Sequence, residues 1–330
     1  MVTINDIAEL AGVAKSTVSR YLNNGQVSAA TRLKIEKVIN ETGYRPNPFA
    51  RSLKAQHTYM IGVIIPRLNS PSTNNVLGGI DEEAHKRGYQ LIITNSNQDD
   101  AREAENIDML TKQKVAGIII FGREMNDALA EKVRQSSIPI LVLGQEIKGV
   151  HSIVHADYQA GKKMAEHALA LGHRKILFVG VTPKDYAVGV LRKNGFIEEA
   201  QKNGATVQTI ETTFSKKDTY QKALKFLKNT QATYIACATD NIAIAVLKAA
   251  YELGYKVPED FSLSGFGGYE STNYVNPAIT TVTYPYWELG IYAMDNLRKL
   301  LKTQEIPETI EMKNELNIKA STRSLTRSKD

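Results

Sequence analysis

Two cationic and two hydroxyl side chains share one face of the segment KSTVSRYL. Val18 and Leu22 define the apolar face of a helix there, because residues four apart in sequence lie on the same side. The opposite, solvent-facing side carries Lys15, Ser16, Ser19 and Arg20. Long cations and hydroxyls can reach base edges and phosphates when a helix lies in a major groove. The spacing therefore predicts either a DNA-contacting helix or an ordinary helical pair with a solvated basic face.

Neighbouring segments supply the helices that would position this face. Apolar residues recur at helical spacing at Ile4, Ile7, Ala8 and Ala11. Gly12 then permits a tight turn, so two short helices meet as in a helix-turn-helix. A third helix beginning near Ser28 can close a small core. Asn47 and Pro48 favour another short helix over 48–54, which is marginal alone in water.

Three stretches resemble the LacI/GalR family of bacterial repressors: TINDIAELAGVAKSTVSRYLNN, VSAATRLKIEKVINETGYRPN and the N-x-x-A-x-x-L spacing that begins at Asn47. The resemblance extends over nearly the whole chain. It implies that the second helix reads operator DNA and that residues 48–54 become a hinge helix in the minor groove. A leucine at the position of Leu53 would wedge between base pairs there. Ala14 departs from the family, in which a serine often caps the recognition helix.

The resemblance also implies which residues contact DNA, with Lys15, Ser16 and Arg20 at the positions that set specificity. The full set of candidates is Thr3, Lys15, Ser16, Thr17, Ser19, Arg20, Asn23, Tyr44, Asn47, Ala50, Arg51, Leu53 and Lys54. Paired hinge helices require a two-fold dimer on a palindromic operator. Residues 319–330 contain no leucine heptad of the kind that makes some relatives tetrameric, so a homodimer is expected.

Positive charge is concentrated at the amino-terminal end. The chain carries a formal net charge of +6, and residues 1–57 hold eight Lys and Arg against four Asp and Glu. A basic segment is what non-specific attraction to phosphates needs.

Cysteine usage and hydropathy predict a cytoplasmic protein. Cys237 is the only cysteine and lies in an apolar run, which favours a buried thiol over disulfide chemistry. The sequence begins directly with the first helix instead of a signal peptide, and no apolar run approaches the ~20 residues of a membrane span.

From Tyr59 onward, short apolar runs alternate with amphipathic helices, which predicts an α/β fold of two five-stranded parallel lobes with a cleft between them. We expect a helix-turn-helix domain over 1–57 with the hinge helix at 48–54, then an effector-binding and dimerisation core over 58–330. The resemblance to periplasmic-type sugar-binding lobes implies that the chain crosses again between the two lobes twice. Lobe one then covers about 58–156 and 286–314, and lobe two about 157–285 and 315–324.

Ligands of such folds bind beyond the carboxyl ends of the strands. The polar and aromatic residues there suit a ligand with many hydroxyls. By resemblance, Arg192 is an effector-binding arginine and Asp240 matches the family's A-x-x-D block, although Asp240 could instead cap the helix 241–254. The candidate effector-binding residues are Asn69, Arg123, Gln145, His155, Arg192, Thr239, Asp240, Tyr269 and Tyr286.

Two departures from the family bear on the ligand. The segment GFGGYE stands where many relatives read GFDD or GYDD, and Gly144 stands where some carry an aspartate. Both changes remove a carboxylate and open space, which favours a larger ligand such as a disaccharide. GFGGYE and TTVTYPY most resemble the sucrose-operon repressors of Gram-positive bacteria, which implies that sucrose or a related glycoside releases the operator.

Other functions remain open at this point. The sequence has no strand–G-x-G-x-x-G–helix, P-loop, G-x-S-x-G or metal-ligand spacing, so we expect no enzyme, cofactor or metal site. A secreted or lipid-anchored sugar-binding protein would share the two lobes but not residues 1–57. Within the family, a phosphorylated carrier protein or a purine-type co-repressor could replace the sugar inducer.

Overall fold

The computed structural model describes residues 2–22, 25–44, 58–123 and 126–325. The chain divides into two compact units, Met1–Tyr59 and Met60–Asp330. The hinge helix expected at 48–54 lies outside the described residues and stays a prediction. The same holds for six candidate DNA contacts, Asn23, Asn47, Ala50, Arg51, Leu53 and Lys54. No helix in the described ranges is long and apolar enough to cross a bilayer.

The first unit contains the predicted helix-turn-helix. Its helices are α1 (Ile4–Leu10), α2 (Lys15–Leu22) and α3 (Ala29–Thr42). Asp6 and Thr3 cap α1 reciprocally, with the Thr3 amide 2.8 Å from the Asp6 carboxylate. Gly12 adopts φ of 63° in the turn, a left-handed conformation that glycine adopts without strain. The buried side chains of Ile7, Val18 and Ile35 join the three helices in one core.

The second unit contains two sheets. In chain order the strands are β1 (Met60–Ile65), β2 (Gln90–Asn95), β3 (Gly117–Phe121), β4 (Ile140–Leu143), β5 (Ser152–His155), β6 (Lys175–Gly180), β7 (Thr206–Glu211), β8 (Tyr234–Cys237), β9 (Ser262–Gly267), β10 (Thr280–Thr283), β11 (Thr309–Met312) and β12 (Glu315–Asn317). Sheet one has the order β11-β5-β4-β3-β1-β2, and sheet two has the order β12-β10-β9-β8-β6-β7.

Helices lie between most of these strands. They are α4 (Pro71–Lys86), α5 (Asp100–Lys112), α6 (Asp127–Arg134), α7 (Asp157–Ala170), α8 (Lys193–Lys202), α9 (Lys216–Phe226), α10 (Asp240–Glu252) and α11 (Tyr286–Leu301). A π-helix, Tyr186–Arg192, directly precedes α8. Single-turn π segments are frequent at functional sites. The alternation of parallel strands with helices confirms the predicted fold class.

The expectation of five strands per lobe was wrong, because each sheet has six. The extra strands are β11, which lies parallel to β5, and β12, which lies antiparallel to β10. Both are short, and their residues are half-buried or exposed. They therefore lack the continuous apolar run that marks a buried parallel strand.

The chain crosses between the lobes more than once. After β10 in sheet two, α11 packs on α4 of the first lobe, where Gly290 lies against the Val76 carbonyl. β11 then joins sheet one and β12 joins sheet two. These crossings bring the carboxyl ends of both sets of parallel strands to a shared cleft, where ligands of open α/β sheets bind.

Candidate DNA-binding surface and effector site

The solvent-facing side of α2 carries the charged and hydroxyl groups that the sequence indicated. Lys15, Ser16 and Arg20 are exposed, whereas Val18 is fully buried in the three-helix core. Thr17 and Ser19 are half-buried at the edges of this face. The amphipathic spacing thus leaves the two cationic side chains and the Ser16 hydroxyl accessible to a binding partner. Packing of the apolar face in the core fixes the orientation of the helix that carries them.

Two other candidate DNA contacts also have structural roles. The Thr3 hydroxyl lies 3.0 Å from the Asp6 carboxylate as part of the cap on α1. Tyr44 is half-buried and packs against the core of the first unit. The side chain of Ala14 offers no cap to α2, although its carbonyl accepts the Thr17 amide at 2.8 Å.

In the second unit, a buried ion pair lies at the carboxyl ends of the strands. Nη2 of Arg192 donates to Oδ1 of Asp157 at 2.6 Å, and its Nε donates to the same oxygen at 3.0 Å. Nη1 donates to the Ala238 carbonyl at 2.6 Å. Burial opposes the charge of Arg192, but the neighbouring Tyr284 and Asp157 raise its pKa overall. The arginine therefore remains a cation that joins the π-helix to the ends of β5 and β8.

Aromatic rings form a continuous row beside this ion pair, which we call the aromatic row: His155, Tyr284, Tyr286 and Tyr269. The ring centres of Tyr284 and Tyr286 are 5.6 Å apart, and those of Tyr269 and Tyr286 are 6.3 Å apart. His155 lies edge-on to Tyr284 at 4.9 Å and to Tyr286 at 5.3 Å. Burial lowers the pKa of His155 to about 4, so its ring is neutral at neutral pH. Its buried Nδ1 atom has no hydrogen-bond partner among the residues that the structure describes.

Asp240 fixes the loop after β9. One carboxylate oxygen accepts the Tyr269 amide at 2.7 Å, and the other accepts the Thr281 hydroxyl at 2.6 Å. Burial raises the pKa of Asp240 to about 6, although these hydrogen bonds oppose the shift. The cap of α10 is Thr239, whose hydroxyl accepts the Ile242 amide, so Asp240 is not the cap that the sequence left open. The GFGG segment therefore still has a carboxylate beside it. Asp240, which follows β8, supplies that carboxylate.

The remaining candidates lie apart from these contacts. Nη2 of Arg123 donates to Asp100 at 2.8 Å and to the Gln98 carbonyl at 3.0 Å, which ties its side chain to its own lobe. Gln145 is half-buried beside Gly122, and Asn69 is exposed. The structure therefore brings together His155, Arg192, Thr239, Asp240, Tyr269 and Tyr286 at the strand ends.

Several residues contact one another across the cleft. The guanidinium carbon of Arg67, after β1, lies 3.7 Å from the centre of the Phe214 ring in the second lobe. The Tyr186 amide donates to the Arg123 carbonyl at 3.1 Å. Ser72 of α4 acts to lower the pKa of the Tyr269 hydroxyl, although burial raises that pKa overall. Neither Arg67 nor Phe214 is among the candidate effector-binding residues named from the sequence. Arg67 does lie at a strand end, where such residues are expected, whereas Phe214 follows an exposed edge strand without any motif.

The geometry defines a class of protein: a small helix-turn-helix unit in one chain with a two-lobed α/β unit that has a polar and aromatic cleft. Comparison with protein families supports both parts. The family of bacterial regulatory proteins named after lacI matches residues 3–47, and the family of periplasmic binding protein-like domains matches residues 165–322.

Full-length relatives extend these matches. The sucrose operon repressor of Staphylococcus xylosus is 36% identical over 315 residues, which cover 94% of this chain and 97% of the relative. Catabolite control protein A of Streptococcus mutans is 31% identical and covers 93% of each chain. A crystal structure of the lac repressor dimer bound to operator and the anti-inducer ONPF aligns with a TM-score of 0.91, at 26% identity, over 98% of this chain and 99% of that one. The chain belongs to the lacI family of bacterial regulatory proteins and is a DNA-binding transcriptional regulator. This confirms the family inferred from the sequence.

Proposed function

We propose that this protein represses a carbohydrate-utilisation operon by binding a palindromic operator as a homodimer, and that a small sugar in the cleft releases it. The observation that carries this proposal is that one chain combines two features. A helix-turn-helix exposes Lys15, Ser16 and Arg20, and the second unit contains the candidate site formed by Arg192 and the aromatic row. The lac repressor relative, which is a dimer on operator, supports the partner and the oligomeric state.

The proposed DNA contacts are those inferred from the sequence, with Lys15, Ser16 and Arg20 as the base-reading set. The proposed effector contacts centre on Arg192, Asp240 and the aromatic row. Four rings can cover the apolar faces of sugar rings while buried polar atoms bind hydroxyls. The name of the S. xylosus relative favours sucrose or a similar glycoside. We further propose that the protein is cytoplasmic, has no enzymatic activity and needs no cofactor.

Operator binding is tested by fluorescence anisotropy with the full-length dimer, comparing palindromic operator with random duplex over a range of salt concentrations. Lys15→Ala should weaken operator binding and reduce the salt slope by about one unit, because one phosphate or base contact is lost. Lys37→Ala is the matched control, since Lys37 is exposed on α3 and changes charge equally. Equal affinity for palindrome and random duplex, or equal effects of both variants, would contradict the proposal.

Effector response is tested by a thermal-shift screen with sucrose, fructose, trehalose, maltose and phosphorylated sugars. A sugar that binds the native state raises Tm, and the same sugar should release labelled operator. A protein that responds only to a phosphorylated carrier protein would instead be a catabolite-type regulator, in line with its 31% identity to catabolite control protein A. A sugar that strengthens operator binding would make it a co-repressor-dependent regulator.

A further inference from the structure

Glu103 is a buried carboxylic acid outside the candidate effector site. It lies in the first turn of α5 with an exposure of 5%, whereas Glu105 on the same helix is exposed. In the described ranges, the groups that act on its charge are Asp100 of its own helix, Arg123 after β3 and Ser96 after β2. Burial, followed by the neighbouring Asp100, raises the pKa of Glu103 to about 7 against the opposing effects of the other two. The side chain therefore gains or loses a proton close to neutral pH.

The cation that attracts Glu103 is hydrogen-bonded to other groups. Nη2 of Arg123 donates to Oδ1 of Asp100 at 2.8 Å and to the Gln98 carbonyl at 3.0 Å. These bonds compensate the charge of Asp100, and a negative charge on the buried Glu103 would compete with it for the same guanidinium. The observed positions of these side chains therefore match a protonated Glu103.

The hydrogen bonds of Arg123 also hold a strained loop between β2 and α5. Asn97 has a φ of 54° and Gln98 has a φ of 63°, so two consecutive non-glycine residues adopt the left-handed conformation. Such conformations persist only where the surrounding structure holds them. If the guanidinium moved to Glu103, the Gln98 carbonyl would lose its hydrogen bond and the loop would be free to relax.

The backbone of Arg123 connects this loop to the second lobe. Its carbonyl accepts the Tyr186 amide at 3.1 Å, and Tyr186 is the first residue of the π-helix that ends at Arg192. The side chain of Arg123 is thus attracted by Glu103, while its carbonyl contacts the segment that carries the candidate effector arginine. A displacement of Arg123 would therefore disturb a contact between the lobes.

We propose that Glu103 is a proton-controlled switch of the contact between the two lobes. In its protonated form it leaves Arg123 bound to Asp100 and to the loop, so the Tyr186 contact is kept. In its deprotonated form it attracts the Arg123 guanidinium, which releases the loop and weakens that contact. The two lobe arrangements then differ in their affinity for a proton, and such a difference is what lets a proton shift the balance between them. The inference goes beyond the proposed function, because it adds an input that acts from outside the effector cleft.

The test observes the Tyr186 amide in the full-length protein by nuclear magnetic resonance. Isotope labelling of tyrosine nitrogen gives one amide signal for each tyrosine, and Tyr186→Phe identifies the signal of residue 186. In wild type, this signal should move from an acidic to an alkaline position with a midpoint near pH 7. In Glu103→Gln, whose amide cannot ionise, the signal should stay at the acidic position throughout. Glu105→Gln, the same substitution at an exposed residue of α5, should titrate as wild type does.

Hydrogen exchange measured by mass spectrometry gives a second readout, for the loop over 96–99. After correction for the intrinsic effect of pH on exchange, wild type should lose about tenfold of its protection there between about pH 6 and pH 8, because the loop opens locally. Glu103→Gln should keep that protection. Arg123→Gln, which removes the guanidinium but keeps the carbonyl, should make the Tyr186 signal independent of pH and keeps the test decisive if Glu103→Gln fails to fold.

Three results would overturn the switch. They are a Tyr186 signal that does not change with pH in wild type, one that changes equally in Glu103→Gln, and one that this variant fixes at the alkaline position. Each of them would leave the sugar-responsive repressor intact, because the test uses neither sugar nor operator.

Discussion

One carboxylate oxygen organises the centre of the candidate site. Oδ1 of Asp157 accepts two hydrogen bonds from Arg192 and a third, at 3.0 Å, from the Tyr284 hydroxyl. The ion pair is almost completely buried, with side-chain exposures of 5% for Arg192 and 4% for Asp157. Removing one partner of such a pair leaves an uncompensated charge, whereas removing both charges costs much less. Arg192 is thus a structural link as well as a candidate ligand contact.

Arg192→Met should lower the free energy of unfolding by about 3–5 kcal/mol, because the Asp157 charge loses its partner. Adding Asp157→Asn should recover a large part of that loss, since the amide carries no charge and can still accept the Tyr284 hydroxyl. Urea denaturation of the two single variants and the double variant measures this coupling. Lys37→Met, which breaks an exposed pair with Glu41, is the control and should change stability by less than about 1 kcal/mol. Additive effects of the two cleft substitutions would contradict a coupled pair.

Asp240 should make stability depend on pH. Burial raises its pKa from the ordinary aspartate value of 3.8 to about 6. Between about pH 4 and pH 6, the folded state therefore keeps a proton on Asp240 that the unfolded state releases. The stability that this bound proton contributes is lost as the pH rises through that window. Relative to Asp240→Asn, the wild-type free energy of unfolding should fall as the pH rises through the same window. Asp127→Asn, the same substitution at an exposed residue, is the control. Parallel pH curves for wild type and Asp240→Asn would refute the shift.

Which residues meet in the cleft could be predicted only in part. Strand-end position identified His155, Asp240, Tyr269 and Tyr286, because the carboxyl ends of parallel strands gather at one edge. Arg192 was identified only by the family resemblance. The sequence could not show that the Arg123 side chain bonds within its own lobe. Nor could it show the approach of Arg67 to Phe214, since that contact depends on how the two lobes face each other and not on any local spacing.

At the scale of elements, the contact between α4 and α11 depends on two glycines. A Cβ at Gly290 would lie 2.1 Å from the Val76 carbonyl, and one at Gly79 would lie 2.0 Å from the Trp287 carbonyl. The helices therefore pack closer than any side chain would permit. This contact brings the chain back from sheet two to the first lobe.

Gly290→Ala tests that contact with two opposed effects. Alanine favours an isolated helix by up to about 1 kcal/mol, whereas overpacking against backbone costs typically about 1–3 kcal/mol. Because the clash is with a carbonyl and not with a flexible side chain, we expect a net loss of stability in thermal and urea unfolding. Asn74→Ala, at an exposed residue of α4, gains the propensity without the clash and should not destabilise. A more stable Gly290→Ala protein would show that the helices can separate at little cost.

Helices and strands could be predicted from the sequence where buried residues form a clear apolar pattern. The apolar runs in β1, β3 and β8 are buried on both faces, which is why they read as continuous hydrophobic strands. β12 has no such signal, because its three residues have one half-buried side chain between two exposed ones. The π-helix was also not predictable, since its Tyr186–Arg192 segment has an ordinary helical composition.

At the scale of the whole molecule, the end of β8 joins the core of the second lobe to the candidate effector site, through Cys237 and the residue that follows it. Cys237 is fully buried at the end of β8, as the sequence predicted, and burial raises the pKa of its thiol. The next residue, Ala238, supplies the carbonyl that accepts Arg192 Nη1 at 2.6 Å. Since the chain has a single cysteine, its labelling reports the opening of this lobe alone.

A thiol reagent should therefore label native Cys237 far more slowly than denatured protein, because reaction needs an exposed thiolate. The tightest-binding sugar of the screen, at 100 times its dissociation constant, should slow labelling further by about 100-fold if opening destroys the site. Arg192→Met should speed labelling without ligand and weaken the protection, whereas Lys37→Met should do neither. Labelling that is fast in the native protein, or unchanged by a sugar that demonstrably binds, would show that the cleft and the core of the second lobe open independently. Slow labelling with sugar protection would establish that the ligand stabilises the lobe that holds Arg192, as a regulator governed by differential affinity between two lobe arrangements requires.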